Sequence, residues 1–325
     1  MKKFLPVLFL VMALLFSDHL SAASLTPGAP VELTGTQGRF DFIKVDAAKR
    51  RLLACHTQNG SLDVIDIDAG KLIKCVPTGN AQGVAIDDKG GRYFVSVSKP
   101  PKLVIIDSTK LAVIGEVALP GPADVMAYHP GLNRAFVCND DKPELWIIDP
   151  EAKAIVTTLN MPGFGMEDLG FNADGSLLFQ NLKDTGALVK IDPVLGKVED
   201  KWPTTPADKP HGLAMVDEQN AVLIAGGTGK LVLLDLVTGK ILASADIAPK
   251  VDEIAYDPGL HQAYCASGTG VISVVDVERG ALKALDSVPS AQGAHSIAVD
   301  PKTHTVWIVF AKETKPYAQP FTAKP

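Results

Sequence analysis

Seven polar side chains recur at one register of this chain: Asp41, Gln82, Asp124, Glu167, His211, Asp252 and His295. Each stands five residues before the end of a repeated short segment, so a regular fold would bring them to one level. Carboxylate and imidazole together suit Zn²⁺, Mn²⁺ or Ca²⁺, and the same groups serve as general acids and bases. The arc Glu167, His211, Asp252, His295 and Asp41 mixes the two donor types, and Glu167, His211, Asp252 and His295 form the candidate metal set. The ring itself has no Lys or Arg and no apolar member. Several carboxylates converging on one point repel unless a cation, a proton or a histidinium relieves them. A hydrated ring that only holds the architecture, a ligand or metal site, and acid–base catalysis all remain open on these residues.

The elements that would position such a ring are short strands. The segments are Phe42–Asp46, Gly83–Asp87, Val125–His129, Asp168–Asn172, Gly212–Val216, Glu253–Asp257 and Ser296–Asp300. After each comes a polar turn and a second apolar run. An aliphatic residue followed by Asp then ends a third run, at Asp66, Asp107, Asp149, Asp192, Asp235 and Asp276. A turn follows, often Gly-Lys, and a fourth run. An Asp at a strand end accepts hydrogen bonds from the backbone of the turn after it, so these six are read as structural. Four strands, a to d, in a unit of about 42 residues, with no room for helices, are the mark of propeller blades. The fold class expected is all-β, a seven-bladed β-propeller with the start of each strand a at the mouth of the central channel.

The seventh unit lacks an Asp-turn-strand pair after Val306–Phe310, and the run Pro30-Val31-Glu32-Leu33 is placed to supply its missing outer strand. Closing the ring in this way removes an exposed sheet edge. The b–c loops open on the face of the ring and add His56, Lys99, Asp140, Asp141, Lys183, Asp184 and Lys312, of which His56 joins the candidate ligand set. Asp168 and Glu253 adjoin ring positions. The connection holding Trp202-Pro203 and running to Pro210 departs most from the repeat and is read as a solvated loop, with an overhang of the mouth as the alternative.

With its Ile-Asp-x-x-x-Gly-Lys units and its ending Tyr317-Ala318-Gln319-Pro320-Phe321-Thr322, the chain resembles the YVTN-repeat propeller family of exported bacterial proteins, a WD40-like architecture, across nearly all of residues 25–325. The literal string is absent; Leu53-Ala54-Cys55-His56 and Phe136-Val137-Cys138-Asn139 hold its places. The resemblance implies a fold shared by binding modules, dehydrogenase subunits and lactonase-like enzymes, and it also admits DNA binding. Fold does not fix function.

The remaining signals narrow the classes. Lys2 and Lys3, an apolar run from Leu5 to Phe16 and the small residues Ser21-Ala22-Ala23 read as a secretory signal over residues 1–23, leaving residues 24–325 as one propeller domain in the periplasm or outside the cell. The formal charge is −6, and losing Lys2, Lys3 and Asp18 makes it more negative by one. That balance disfavours nucleic acid, whose phosphates need cations. No later apolar run is long enough to cross a membrane, and a monomer is expected. Four cysteines in an exported chain invite disulfides, but Cys55, Cys138 and Cys265 fall on strand b of separate blades. Cys75 lies two strands from Cys55, about 9.5 Å away, beyond the ~7 Å reach of a bridge; four buried thiols are expected. Ala225–Lys230 lacks both the Ser/Thr and the helix of a phosphate loop. There is no Gly-x-Ser-x-Gly elbow, His-Glu-x-x-His helix or Cys-x-x-Cys-His sequence. The residues therefore favour a binding or scaffold protein engaging a small ligand, a divalent metal or a protein partner at the channel mouth. The alternative is a metal- or His/carboxylate-assisted hydrolase, with a lactonase suggested by the resemblance.

Overall fold

The computed structural model describes residues 24–33 and 38–324, and the expected leader at 1–23 lies outside them. The described chain forms seven antiparallel sheets in a ring. Strand a of the blades begins in turn at Ile43–Asp46, Ala81–Asp87, Ala123–His129, Met166–Phe171, Pro210–Val216, Val251–Asp257 and Ser296–Asp300. Each pairs with strand b, b with c, and c with d. Strands b and c are almost wholly buried, as in Arg51–His56 and Ser61–Asp66, whereas strand d alternates exposed with half-buried positions. The period-two pattern of the sequence thus fades inward, where both faces of a sheet meet neighbouring blades.

Seven apolar clusters hold the ring together, one at each seam. Phe94, Leu103 and Ile105 of blade 2, for example, meet Met126, Val137 and Trp146 of blade 3, and Phe179 and Leu188 of blade 4 meet Val222 and Val232 of blade 5. Burying each such side chain contributes about 1.5–3 kcal/mol. On the face away from the mouth, polar ties cross the seams. Tyr93 Oη donates to Asp46 Oδ2 at 2.6 Å, Arg50 pairs with Asp300 at 2.6 Å, and His304 Nδ1 meets Asp257 Oδ2 at 2.8 Å.

Blade 7 closes the ring with both ends of the chain. The run after Lys312, which carries no Asp-turn signal, is itself a strand c, Lys315–Ala323, paired with Thr305–Lys312. The N-terminal chain lies along its other edge in two pieces, Leu25–Pro27 and Val31–Glu32. The expected closure is therefore present, but strand d starts earlier than Pro30 and is interrupted. Gly28 N donates to Pro320 O at 2.8 Å across the interruption.

The strand-ending aspartates behave as expected in five of six blades. Oδ1 of Asp66, Asp107, Asp149, Asp192 and Asp235 each accepts two backbone N–H bonds from the following turn, for instance from Asp68 and Ala69. Asp276 is the exception. There strand c runs on to Glu278, and Asp276 accepts from the Gln262 side chain instead. The same c–d turn requires a left-handed residue, filled by Gly70, Gly196, Gly239 and Gly280 at φ 58–69° but by Leu111 (51°) and Lys153 (53°) in blades 2 and 3. The four cysteines are unbridged, and Cys75 is half-buried rather than buried. Trp202-Pro203 belongs to strand d, Lys197–Pro203, not to a loop. Trp202 stacks on Phe179 with ring centroids 6.2 Å apart, so it packs a seam and does not overhang the mouth.

Because only glycine takes the left-handed turn without strain, Gly70→Ala should cost about 1 kcal/mol. Lys153→Gly, at the same turn of blade 3, should be neutral or stabilising. Chemical denaturation of both variants checks this; equal losses would mean that the turn conformation is not the deciding factor.

Candidate functional site

Strand a carries an extra residue near its start in blades 2 to 6. Opposite strand b, Ala123 pairs with Asn139 and Met126 with Val137, so three steps on one strand match two on the other. The same bulge follows Met166, Pro210 and Val251, and a shorter one follows Ala81. A bulge breaks the alternation of side chains and re-aims them. Two successive residues can then face the axis, and this is what the mouth shows. A cavity of about 390 Å³ is lined by ring residues Asp41, Gln82, Asp124, Glu167, His211 and Asp252, and also by Asp168 and Glu253, each next in sequence to a ring residue.

The geometry falls into two groups that share one carboxylate. Glu167, His211 and Asp252 each offer a donor atom, and all three atoms lie within 4.8 Å of one another; Asp41, Asp252 and His295 do the same. His295 Nδ1 is 2.8 Å from Asp252 Oδ2, and His211 Nε2 is 3.7 Å from Glu167 Oε1. Lys183 forms an ion pair with the same Glu167 oxygen. Gln82, with its amide nitrogen turned toward its acceptors, donates to Asp41 Oδ2 at 3.1 Å. The structure thus brings all seven ring residues to the mouth, with His295 on the Asp252 side.

His56 is different. It is fully buried, with Nδ1 2.8 Å from Asp63 Oδ2 and Nε2 3.1 Å from the Gly38 carbonyl. It stacks on Phe40 with ring centroids 4.0 Å apart. Both nitrogens are spent inside blade 1, so its assignment to the ligand set is corrected. Of the other loop residues expected at the mouth, Asp140 and Lys183 line the cavity, whereas Lys99, Asp141, Asp184 and Lys312 do not.

Two cations were not read from the sequence. Arg39 lines the cavity from the segment before strand a of blade 1; it stands two residues before Asp41, the register that holds Lys209 and Lys250 in blades 5 and 6. Lys44 did carry a signal. It occupies the register where the other blades have Ala85, Ala127, Gly170, Ala214, Ala255 and Ala298. Lys44 keeps contact with solvent although protein encloses it, and it feels both Asp168 of blade 4 and Glu253 of blade 6. Its positive charge therefore counters carboxylates from two other blades.

Enclosure sets the charge state of the mouth. Burial, reinforced by Asp124 and Asp252, pushes Asp41 up to about 8. Burial, with Glu167 and Asp140 adding repulsion, brings Asp124 to about 8. Glu167 rises to about 7 through burial despite Lys183, and Asp168 to about 6 even though it accepts backbone N–H bonds from Leu169 and Leu213. Glu253 is held well above its ordinary value by burial and by Asp252. Burial also lowers His211. At His295 burial pulls the same way, but the closely placed Asp252 carboxylate outweighs it and the net shift is upward. Asp252 is correspondingly lowered, because His295, His211 and Lys183 overcome its burial. Asp252 is thus the carboxylate that stays ionised, and its neighbours hold protons that a cation would displace.

The fold and this mouth define a seven-bladed β-propeller of the WD40-like kind. No family model matches the chain. Two curated relatives, both called "Uncharacterized protein YncE", from Salmonella typhi and Salmonella typhimurium, are 24% and 23% identical over 147 residues, 43% of this chain. The match spans 41% of each relative's length, so it is a weak homology to a propeller-type protein. Among solved structures, a chain of the mitotic checkpoint complex superposes with a TM-score of 0.79 at 13% identity, covering 98% of both chains. The RRP9 WD40 repeats give 0.78 at 9%, covering 93% of this chain and 98% of theirs. A chain of Kuenenia stuttgartiensis hydrazine synthase gives 0.75 at 14%, covering 85% and 93%. At such identities the likeness is one of fold.

The raised carboxyls carry a pH dependence of stability. In the folded state Asp41, Asp124 and Glu167 keep protons that the unfolded chain releases near pH 4, so they favour the folded state less and less as pH rises toward 8. His295, raised above its ordinary value, acts in the same direction, while the opposing effect of lowered His211 ends near pH 6.5. Chelator-treated protein should therefore lose several degrees in melting temperature between pH 6.5 and 8.5, and Asp124→Asn should flatten that slope. A melting temperature that holds or rises across this window would contradict the assignment.

Proposed function

We propose that the chain is an exported propeller-type binding protein whose channel mouth holds a divalent cation, alone or as part of a small ligand. One observation carries the reading: Asp252 belongs at once to the Glu167/His211 group and to the Asp41/His295 group. Carboxylates with imidazoles suit Zn²⁺ or Mn²⁺ better than a purely hard cation site would. The charge state supports it too. A cation here displaces the protons on Asp41 and Glu167 and relieves the repulsion that burial enforces, while Lys183 and Arg39 limit the negative charge left over. Export is supported by the signal-like residues 1–23. Among the described residues no helix is long and apolar enough to cross a membrane.

Titrating the chelator-treated protein with Zn²⁺ or Mn²⁺ by calorimetry tests the reading. Binding should tighten as pH rises from 6 to 8 and should release protons. Asp252→Asn should weaken it by more than the roughly 10–100-fold that loss of an outer partner costs, while His211→Ala and His295→Ala should each weaken it less. Affinity unchanged in Asp252→Asn would remove the mouth as the site.

A second reading has its own observation. Glu167, brought to about 7 and lying beside His211, is placed for general acid–base work. Turnover of a lactone panel that depends on added cation and is lost in Glu167→Gln would make the mouth that of a hydrolase. An inert panel retires this reading.

A further inference from the structure

The closing strand begins at Leu25, one residue past Ser24, where the mature chain would start after a leader of the expected kind is cut. Ser21, Ala22 and Ala23 place small side chains at the positions before a signal peptidase cut, and Ser24 follows. Ser24 is engaged on both sides. Its carbonyl accepts from Lys324 N at 2.9 Å, and Leu25, 1% exposed, is already part of the apolar cluster between blades 6 and 7. The polar atoms at the start of Ser24 converge on one acid of the neighbouring blade. Ser24 N donates to Asp286 Oδ2 at 3.1 Å, and Ser24 Oγ bonds to Asp286 Oδ1. Asp286 lies on strand d of blade 6, Ala281–Pro289. This contact therefore joins the closing strand to the blade beside it, where the ring is completed by strands from opposite ends of the chain.

We infer that Ser24 is the first residue of the mature protein and that its freed α-ammonium group pairs with Asp286, fastening the closing strand to blade 6. The inference rests on the export reading for its processing step. In that step water adds across the Ala23–Ser24 peptide bond under a signal peptidase, leaving a carboxylate on Ala23 and an ammonium on Ser24. One amide donor to Asp286 becomes three N–H donors with a full positive charge, and charge-assisted bonds are the stronger kind. Space allows it. Ser24 and Asp286 line a surface cleft of about 680 Å³, with His261, Asp276, Glu278 and Lys324 as the other titratable groups on its walls. Cleavage after Leu25 would remove that side chain from the seam cluster. The small residues before Ser24 and the contact of Ser24 with Asp286 together point to the Ala23–Ser24 bond.

The test uses the full chain expressed with its own leader. Intact mass and N-terminal sequencing of the exported protein should give residues 24–325 with a free amine; any other start overturns the processing site. The latch is tested separately by melting the exported protein, its Asp286→Asn variant and a ring extended by three residues ahead of Ser24. An α-amino group titrates near 7.7–8.0 when free, and a partner carboxylate raises it. The latch is then fully present below that range and is lost as pH climbs through the raised value. The exported protein should lose about 2 °C more than the other two between pH 7 and 10. Identical pH profiles in all three would overturn the latch even if cleavage falls after Ala23.

Discussion

Seven sheets that share one axis must bring the starts of seven inner strands into a space of a few hundred cubic ångströms, and here those starts are mostly acids. The repulsion among Asp41, Asp124, Glu167 and Asp252, sharpened by Asp168 and Glu253 just beside them, is the interaction around which the mouth is organised. Without the apolar seams that force the convergence the acids would separate. With the seams in place, the charge has to be met by protons, by Lys183, Arg39 and Lys44, by histidinium, or by a cation. The raised carboxyls and the single lowered one, Asp252, are the outcome of that competition.

The bulges make the convergence denser than a regular propeller edge would allow. A strand in strict alternation would point one residue of each Glu-Asp or Asp-Glu pair toward the axis and the other toward a seam. The extra residue after Met166 and Val251 lets both approach the mouth, where Asp168 accepts from Leu213 N and Glu253 from Ile297 N, each in the next blade. These acids therefore serve twice. They stitch strand a of one blade to strand a of its neighbour, and they add negative charge beneath the ring. Stitching alone does not account for Asp252, which is kept ionised by two imidazoles and belongs to both donor groups.

The architecture was legible because it repeats and because its signals are local. The Asp that caps its own turn, as Asp66 and Asp192 do, needs only the next three residues, and the ring register needs only a count along the chain. Closure was legible as a missing strand and an unassigned one, although strand c at Lys315–Ala323 was not seen because no Asp-turn signal marks it. The failures depend on contacts between strands or blades, or on broken alternation. His56 sits where a loop should begin, but its partner Asp63 lies on the neighbouring strand and draws it inside. Asp276 loses its turn because strand c continues past it. Arg39 shares its register only with Lys209 and Lys250, a signal too sparse to mark the mouth without the ring. Lys44 had a clearer one, a lone lysine in a column of alanine and glycine, and only the ring shows that this column borders the channel.

The central claim is that this mouth is a binding site and not only a hydrated seam, and its most direct test is metal stoichiometry. Elemental analysis of the protein exported with its own leader, purified without chelator or affinity tag, should find Zn or Mn at a whole-number ratio to chain. The ratio should fall toward zero in a His211→Ala/His295→Ala double variant that melts as the parent does. A parent that carries no metal, and takes none up on dialysis against Zn²⁺ or Mn²⁺ at pH 8, would contradict the account and leave the ring as water-filled architecture.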